Sequence, residues 1–91
     1  MAINKDGAVE NARKDLAQRL KIDAGAIKER SVEDADFPDM ALGAPQDGEM
    51  SGMMITRGWR IKLEAEGKTY EYRADKNQVR LHNFKGKNYR I

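Results

Sequence analysis

The sequence predicts a two-layer α+β domain in which one N-terminal helix packs on a small antiparallel sheet. Residues 58–65 alternate apolar and charged side chains with the period of two that places them on opposite faces of a strand. A second alternating segment follows after a Gly-Lys turn, which predicts an antiparallel hairpin. One amphipathic helix and one sheet with a single apolar face can bury their apolar surfaces against each other. We therefore predict a single domain over residues 1–91, in the order helix, strand, loop and three strands.

The helix is predicted from about Gly7 to Lys21, and either Asn4 or Asp6 is suited to cap its first turn. Its apolar residues recur at intervals of three and four and form one stripe, made of Val9, Ala12, Leu16 and Leu20. A short further turn, capped by Asp23, is predicted to run through Ile27.

A charged strand and a long loop are predicted next. Residues 28–37 alternate weakly and carry many charges, as in an edge strand, where charge discourages pairing with other chains. Pro38 ends this strand, and residues 38–57 show neither helical nor strand periodicity. A loop this long in a small domain is either functional or folded back onto the core. Its methionines are flexible and polarizable, so they suit either an adaptable binding surface or a cover for the core.

Three hairpin-linked strands are predicted to complete the sheet. They are expected at residues 59–66, 69–74 and 79–84, with turns at Gly67-Lys68 and at residues 75–77. Trp59 begins the core-facing row of the first of them, together with Ile61 and Leu63, so it is expected in the core. A register shift by one residue would instead expose Trp59 beside the loop as a binding residue.

Composition excludes several kinds of chemistry. The chain has 91 residues and no cysteine, which rules out disulfides, thiolate metal sites and cysteine nucleophiles. His82 is the only imidazole, and neither a hydrolase motif nor calcium-loop spacing is present. We expect no enzyme activity, no cofactor and no metal site. No segment has the apolar length of a membrane span, so no membrane partner is expected.

The N-terminus bears on localisation. It has one lysine and no apolar stretch of the kind that signal peptides contain. This predicts a cytoplasmic protein if the chain is complete, and an extracytoplasmic one if a signal peptide has been removed.

The charges are unevenly distributed along the chain. All 15 acidic residues precede Lys76, whereas five of the 17 basic residues follow Asp75. The basic C-terminal extension, at about residues 84–91, is either a solvated end or a surface for acidic partners. In the nucleic-acid alternative, four basic residues would contact phosphates: Arg80, Lys85, Lys87 and Arg90. Against this reading, acidic residues such as Glu64 and Glu71 lie on or near the same sheet face and would pair across strands with Arg60 or Arg73.

Several short motifs carry a family resemblance. They are Phe37-Pro38-Asp39, Leu42-Gly43-Ala44-Pro45, Gly52-Met53-Met54, Thr56-Arg57-Gly58-Trp59-Arg60-Ile61 and Lys68-Thr69-Tyr70-Glu71-Tyr72. From about residue 8 to residue 82 the chain resembles a small bacterial family of mostly uncharacterised proteins. The pattern of that family is aromatic-Pro-Asp, Leu-Gly-Cys-Pro, Gly-Met-Met-Tyr, Pro-Gly-Tyr-Arg-Ile and Tyr-Glu-Tyr. More loosely, the order of elements resembles PepSY-like and cystatin-like modules, which bind or inhibit proteins.

Both cysteines of that family pattern are replaced here. The resemblance places them at Ala44 and near His82, so it implies that a bridge between loop and last strand has been lost. In a small domain such a loss costs about 2–5 kcal/mol. The residues beyond the family's usual end then suggest a replacement clamp in which Phe84, Tyr89 and Ile91 pack against the domain.

The expected function is protein interaction, with inhibition of a peptidase as one form of it. The predicted contact residues lie in or beside the loop: Met40, Leu42, Pro45, Met50, Met53, Met54 and Arg57. The partner is expected to be a protein of unknown identity, and the domain a monomer or a weak dimer. Nucleic-acid binding and a purely structural role remain the alternatives.

Overall fold

The computed structural model describes residues 2–91 as one helix packed on an open five-stranded antiparallel sheet. The elements are α1 (Lys5–Leu20), a 3₁₀ turn (Ala24–Ala26), β1 (Lys28–Phe37), β2 (Thr56–Ala65), β3 (Lys68–Ala74), β4 (Val79–Phe84) and β5 (Lys87–Arg90). The strands lie side by side in chain order, and every neighbouring pair is antiparallel. The predicted α+β class and two-layer arrangement are confirmed.

Helix α1 begins and ends at identifiable signals. The Asn4 side chain accepts a 2.7 Å hydrogen bond from the amide of Gly7, so Asn4 is the N-cap and Asp6 is not. Lys21 adopts a left-handed conformation with φ of 57°, and its amide donates to the carbonyl of Ala17. The helix starts two residues before the predicted Gly7 because this cap lies further upstream.

The main core lies between α1 and the sheet. The helix contributes a stripe of buried residues: Ala8, Val9, Ala12 and Leu16. The sheet contributes Ile61, Tyr72 and Leu81, which stand next to one another on three adjacent strands. Burying large side chains such as these contributes about 1.5–3 kcal/mol each. Trp59 also packs against this core but is only half buried.

The first hairpin turn lies one residue earlier than predicted. Glu66 and Gly67 form it, with φ values of 52° and 77°. Positive φ at both central residues is the geometry of a two-residue turn whose twist matches that of the flanking strands.

The C-terminal residues form a strand that the sequence pattern does not predict. β5 pairs with β4, so the extension is part of the sheet. Phe84 and Tyr89 pack against the main core, and their ring centroids lie 6.2 Å apart. The guanidinium of Arg19 lies 4.4 Å from the Tyr89 ring centroid, which ties the strand to α1. Ile91 is exposed, so only two of the three predicted clamp residues are packed.

Candidate functional site

The long connection between β1 and β2 folds back over the sheet face opposite α1. Its first half buries three small or medium apolar residues against that face, Ala41, Leu42 and Ala44, next to the buried Phe37. The loop thus builds a second, smaller core. We call residues 39–49 the clamped segment.

Arg73 holds one end of the clamped segment. Its Nη1 donates to the carbonyl oxygens of Leu42 and Gly43, each at 3.1 Å, and its Nε donates to Glu71 Oε2 at 2.7 Å. The guanidinium also lies 5.6 Å from the ring centroid of Phe37. The sequence pattern predicts that the Arg73 side chain is exposed to solvent, but in the structure it binds backbone carbonyls of the loop.

The backbone that Arg73 binds is strained. Leu42 and Gly43 adopt φ values of 59° and 65°, in the left-handed region that is rare for a bulky side chain such as leucine. Complete burial of the Leu42 side chain and the bonds from Arg73 offset that cost. At Gly43 a Cβ would meet Arg73 Nη1 at 2.7 Å, so this position favours glycine for space as well as conformation.

Arg80 holds the other end. Its Nη1 and Nη2 donate to the two carboxylate oxygens of Glu49 at 2.6 and 2.8 Å, a bidentate pair. The same guanidinium donates to Ala44 O at 3.2 Å and, through Nε, to Gln78 Oε1 at 2.7 Å. Hydrogen bonding from Arg80, with a further bond from the amide of Gln46, lowers the pKa of Glu49 from 4.5 to about 2.

Further hydrogen bonds fix the clamped segment. Asp39 Oδ1 accepts from the amides of Ala41 and Gly43, both at 2.9 Å. Gln78 Nε2 donates to the carbonyl of Met40, and Asn88 Nδ2 donates to that of Pro45. Together with Arg73 of β3 and Arg80 of β4, Asn88 of β5 therefore fixes the path of the clamped segment over the sheet.

The second half of the connection is different, and we call residues 50–55 the apolar strap. Met50, Met53, Met54 and Ile55 are 96%, 87%, 63% and 73% exposed, and Met40 beside them is 50% exposed. Among residues 2–91 only one other large apolar residue, Ile91, is exposed. The strap carbonyl of Gly52 accepts from the amide of Met40 at 2.9 Å, which joins the strap to the clamped segment.

A groove of about 690 Å³, the strap groove, runs beside the strap. Met40, Met54 and Ile55 lie along it with Trp59, and Gly58 forms part of its wall. At Gly58 a Cβ would lie 2.1 Å from the carbonyl oxygen of Ala74, so only glycine fits there.

The charges at the strap groove are of two kinds. Asp34 is paired with Lys5 at 3.0 Å, and Asp75 accepts from the amides of Asn77 and Gln78. Arg57 and Lys76 are exposed, and within residues 2–91 neither takes part in an ion pair. Lys5 offsets Asp34, and Arg57 and Lys76 together outweigh Asp75, so the net charge at this groove is positive.

Most of the residues predicted for protein binding are accessible, but they are not all together. Met40, Met54 and Arg57 line the strap groove, and Met50 and Met53 project from the strap. Pro45 is exposed, but it lies outside the groove and its carbonyl is bound by Asn88 of β5. Leu42 is fully buried, so the expectation that it contacts a partner is wrong: it supports the loop from below.

The nucleic-acid alternative loses its central residue. The side chain of Arg80 is 3% exposed and bound to Glu49, so it cannot contact phosphate. Lys85, Lys87 and Arg90 are exposed around the last hairpin. On the sheet face itself, Glu71 lies 3.6 Å from Arg60 and 2.7 Å from Arg73, so its one negative charge offsets half of their combined positive charge.

The sequence pattern does not reveal that Arg73, Arg80 and Glu49, the clamp residues, hold the loop to the sheet. The alternation places both arginines on the face away from the helix, where side chains are expected to be solvated. One feature of the sequence indicates instead that this face is covered. Leu42, Gly43 and Ala44 form a short apolar run in the loop, and such a run is stabilised by packing against another surface.

His82 lies on the same sheet face as the clamp arginines. Burial and the nearby charge of Arg73 lower its pKa, whereas Glu71 acts in the opposite direction. Within the described part of the chain, no three His, Asp or Glu side chains are grouped as metal ligands. Across residues 2–91 no helix has the length and apolar character needed to cross a bilayer.

Comparison with known proteins gives one result. No curated protein and no solved structure matches the chain at a significant level. The sequence profile of a domain of unknown function, DUF8738, matches residues 9–82, a range that runs from the first turns of α1 through most of β4. It includes both clamp arginines and the whole apolar strap. Since this match covers most of the 91 residues, the chain belongs to the DUF8738 family.

Proposed function

We propose that the protein is a non-catalytic binding module that recognises an apolar segment of another protein through the apolar strap and the strap groove. One observation carries this proposal: nearly all the exposed large apolar side chains of the described chain are concentrated at Met40 and residues 50–55. Contiguous exposed apolar surface is costly in water and is typical of interaction sites.

The way the strap is mounted supports the same function. The strap begins directly after Glu49, which is fixed by Arg80, and ends where β2 begins at Thr56. A short segment anchored at both ends loses less conformational entropy on binding than a free chain. Its methionine side chains, in contrast, can adapt to the shape of a partner.

The charge around the groove indicates the chemistry of the partner. Arg57 and Lys76 are unpaired among the described residues, whereas Asp34 and Asp75 are already bonded. An apolar segment flanked by an acidic residue would match both the groove and its rim. We propose a partner of that composition.

A more specific version of this proposal is that the protein inhibits a peptidase. An irregular, exposed strap presented by a rigid sheet would suit the cleft of a peptidase. The test is to titrate serine, cysteine and metallo-peptidases with the protein. Saturable inhibition at one protein per enzyme supports this role, and cleavage within residues 50–55 without inhibition contradicts it.

The broader proposal is tested with displayed peptides of random sequence. Peptides selected on the immobilised protein are expected to combine apolar and acidic residues. The selected peptides are then titrated against the protein and against a variant carrying Met53→Ser, Met54→Ser and Ile55→Ser. These side chains are exposed, so the variant should fold, and we expect its affinity to fall at least about tenfold, as for central contact residues.

The matched control removes exposed charges elsewhere. A variant with Lys85→Ser and Lys87→Ser should bind the selected peptides as the unmodified protein does. If no peptide is enriched, or if both variants bind equally well, the proposal is refuted and a purely structural role is favoured. Binding that depends on Lys85 and Lys87 would instead point to the basic C-terminal region.

A further inference from the structure

Four of the protein's five methionines lie in the connection between β1 and β2. Met50, Met53 and Met54 lie in the strap, and Met40 lies across from them in the clamped segment. The amide of Met40 donates to the carbonyl of Gly52 at 2.9 Å, which places the two chain segments side by side. The Met40 sulfur is so close to residue 52 that a Cβ there would lie 2.7 Å from it. One sulfur therefore lies at the middle of the segment that carries the other three.

The surface on both sides of Met40 is open to these sulfurs. A depression of about 330 Å³ is lined by Met40 and Met50, together with Gly52. The strap groove on the other side is lined by Met40 and Met54. Met40 belongs to both, so thioethers can approach it from either side.

The side chains are long enough to meet. Three residues of chain span at most about 11 Å, which limits the separation of Met50 and Met53 along the strap. Each methionine has an unbranched side chain with three rotatable bonds, and the exposed positions leave those bonds free to turn. Met53 lines neither depression, so its side chain must turn toward Met40 for all four sulfurs to meet.

The donor set has a distinct chemical preference. A thioether is a neutral, soft donor, and soft sulfur ligands select Cu(I) among the common biological metals. Ag(I) has the same charge and closed d shell, so the same donors suit it. The absence of cysteine leaves these thioethers without a stronger sulfur competitor in the chain.

The local electrostatics favour a monovalent ion over a divalent one. Arg80, which lies beside the Met40–Met50 depression, is neutralised by Glu49. Arg57 and Lys76 line the strap groove, Arg90 lines the depression, and none of the three is in an ion pair within residues 2–91. Their repulsion is halved for a single positive charge relative to a double one. A thioether carries no proton that a metal must displace, so this binding should vary little with pH.

We propose that Met40, Met50, Met53 and Met54 form a binding site for a soft monovalent cation, Cu(I) or Ag(I). The site uses sulfur atoms, so it does not rest on the protein-binding function proposed above. Carboxylates and imidazoles make no contribution to it.

Silver ion alone is the probe for a direct test. The protein is labelled with ¹³C at the methionine methyl groups, and Ag⁺ is added as the nitrate in chloride-free buffer. We expect the methyl signals of Met40, Met50, Met53 and Met54 to shift together and to saturate at one ion per chain. Signals that do not move, or that shift without saturating, overturn the proposal.

Substitution by leucine separates the sulfur from the apolar surface. Leucine keeps the apolar character and approximate volume of methionine, so a variant with Met50→Leu and Met53→Leu should fold and retain its apolar strap. We expect it to bind Ag⁺ at least about tenfold more weakly, a change readily resolved by titration. Equal affinity would overturn the proposal, and the control His82→Gln should leave Ag⁺ binding unchanged.

Cu(I) is then tested by competition with a coloured Cu(I) chelator under anaerobic, reducing conditions. The protein should withdraw one Cu(I) from the chelator, and the leucine variant should withdraw less. Failure of the unmodified protein to compete, together with binding of Ag⁺, would restrict the site to silver and overturn the Cu(I) assignment. Binding of Ag⁺ by the leucine variant at unchanged affinity would overturn both.

Discussion

Replacing Glu49 with alanine tests whether the pair with Arg80 holds the loop to the sheet. The pair has two short hydrogen bonds, at 2.6 and 2.8 Å, and the Arg80 side chain is 3% exposed. Without Glu49 the guanidinium keeps only the carbonyl of Ala44 and the Gln78 side chain as partners. A buried positive charge would then lack a countercharge.

The size of the effect follows from that geometry. Breaking a fully buried ion pair costs about 3–5 kcal/mol. The Glu49 side chain is 25% exposed, so water can reach part of the space that it leaves. We therefore expect Glu49→Ala to lower the free energy of unfolding by about 2–3 kcal/mol, between the value of a charged hydrogen bond and that of a buried pair.

The assay is urea unfolding followed by circular dichroism, with amide hydrogen exchange on the same variant. Protection of the amides at positions 44 and 49 should fall more than protection in β2 and β3. Asp47→Ala removes a neighbouring exposed acid and is the matched control, with an expected change within about 0.5 kcal/mol. If Glu49→Ala and Asp47→Ala have equal effects, the clamp does not hold the loop.

The same pair should make stability depend on pH. Folding lowers the pKa of Glu49 from 4.5 to about 2, so the unfolded chain takes up the proton first as the pH falls. The contribution is complete above pH 4.5 and is lost progressively between pH 4.5 and about 2. The pH profile of Glu49→Ala should lack this share of the loss, and identical profiles would contradict the pKa shift.

Three further predictions concern the sheet. Gly58→Ala should destabilise the domain by about 3 kcal/mol in thermal unfolding, because the added Cβ would overlap the Ala74 carbonyl; an unchanged midpoint would show that β2 and β3 can separate there without cost. Burial and a 2.8 Å hydrogen bond to Asp15 raise the pKa of Tyr72. Tyr72→Phe removes that bond and should lower the free energy of unfolding in urea by about 1–2 kcal/mol. An unchanged free energy would mean that the bond contributes no net stability. Folding lowers the pKa of His82 below 6.5, so its contribution to stability should be complete above pH 6.5 and should decline as the pH falls from there through the folded pKa. An NMR titration of the imidazole that gives a pKa of 6.5 or higher would contradict this.

The elements were predictable because their patterns are local. The stripe of Ala12 and Leu16 on α1 and the alternation from Trp59 to Ala65 each depend on residues a few positions apart. The end of β1 at Phe37, before Pro38, was predicted for the same reason. β5 was missed because its four residues are too short for a period to be recognised.

The loop could not be predicted, because what holds it is distant in the chain. The pair between Glu49 and Arg80 joins residues 31 positions apart, and the bonds from Arg73 to the Leu42 and Gly43 carbonyls span similar distances. A strand pattern indicates only that these arginines face away from the helix. Whether that face is wet or covered depends on where the loop goes.

The amino-acid sequence by itself determined the α+β class, the helix, four of the five strands and the absence of thiol chemistry, since each follows from periodicity, turn residues or composition. Tertiary structure decided which half of the loop became core and which half remained exposed. Leu42 and Ala44 could be buried because Arg73 and Arg80 bind the carbonyls of residues 42–44 and Glu49 supplies the countercharge of Arg80. The methionines of the strap follow Glu49, the last residue of the loop that an arginine binds, so they remain exposed at the surface beside Met40.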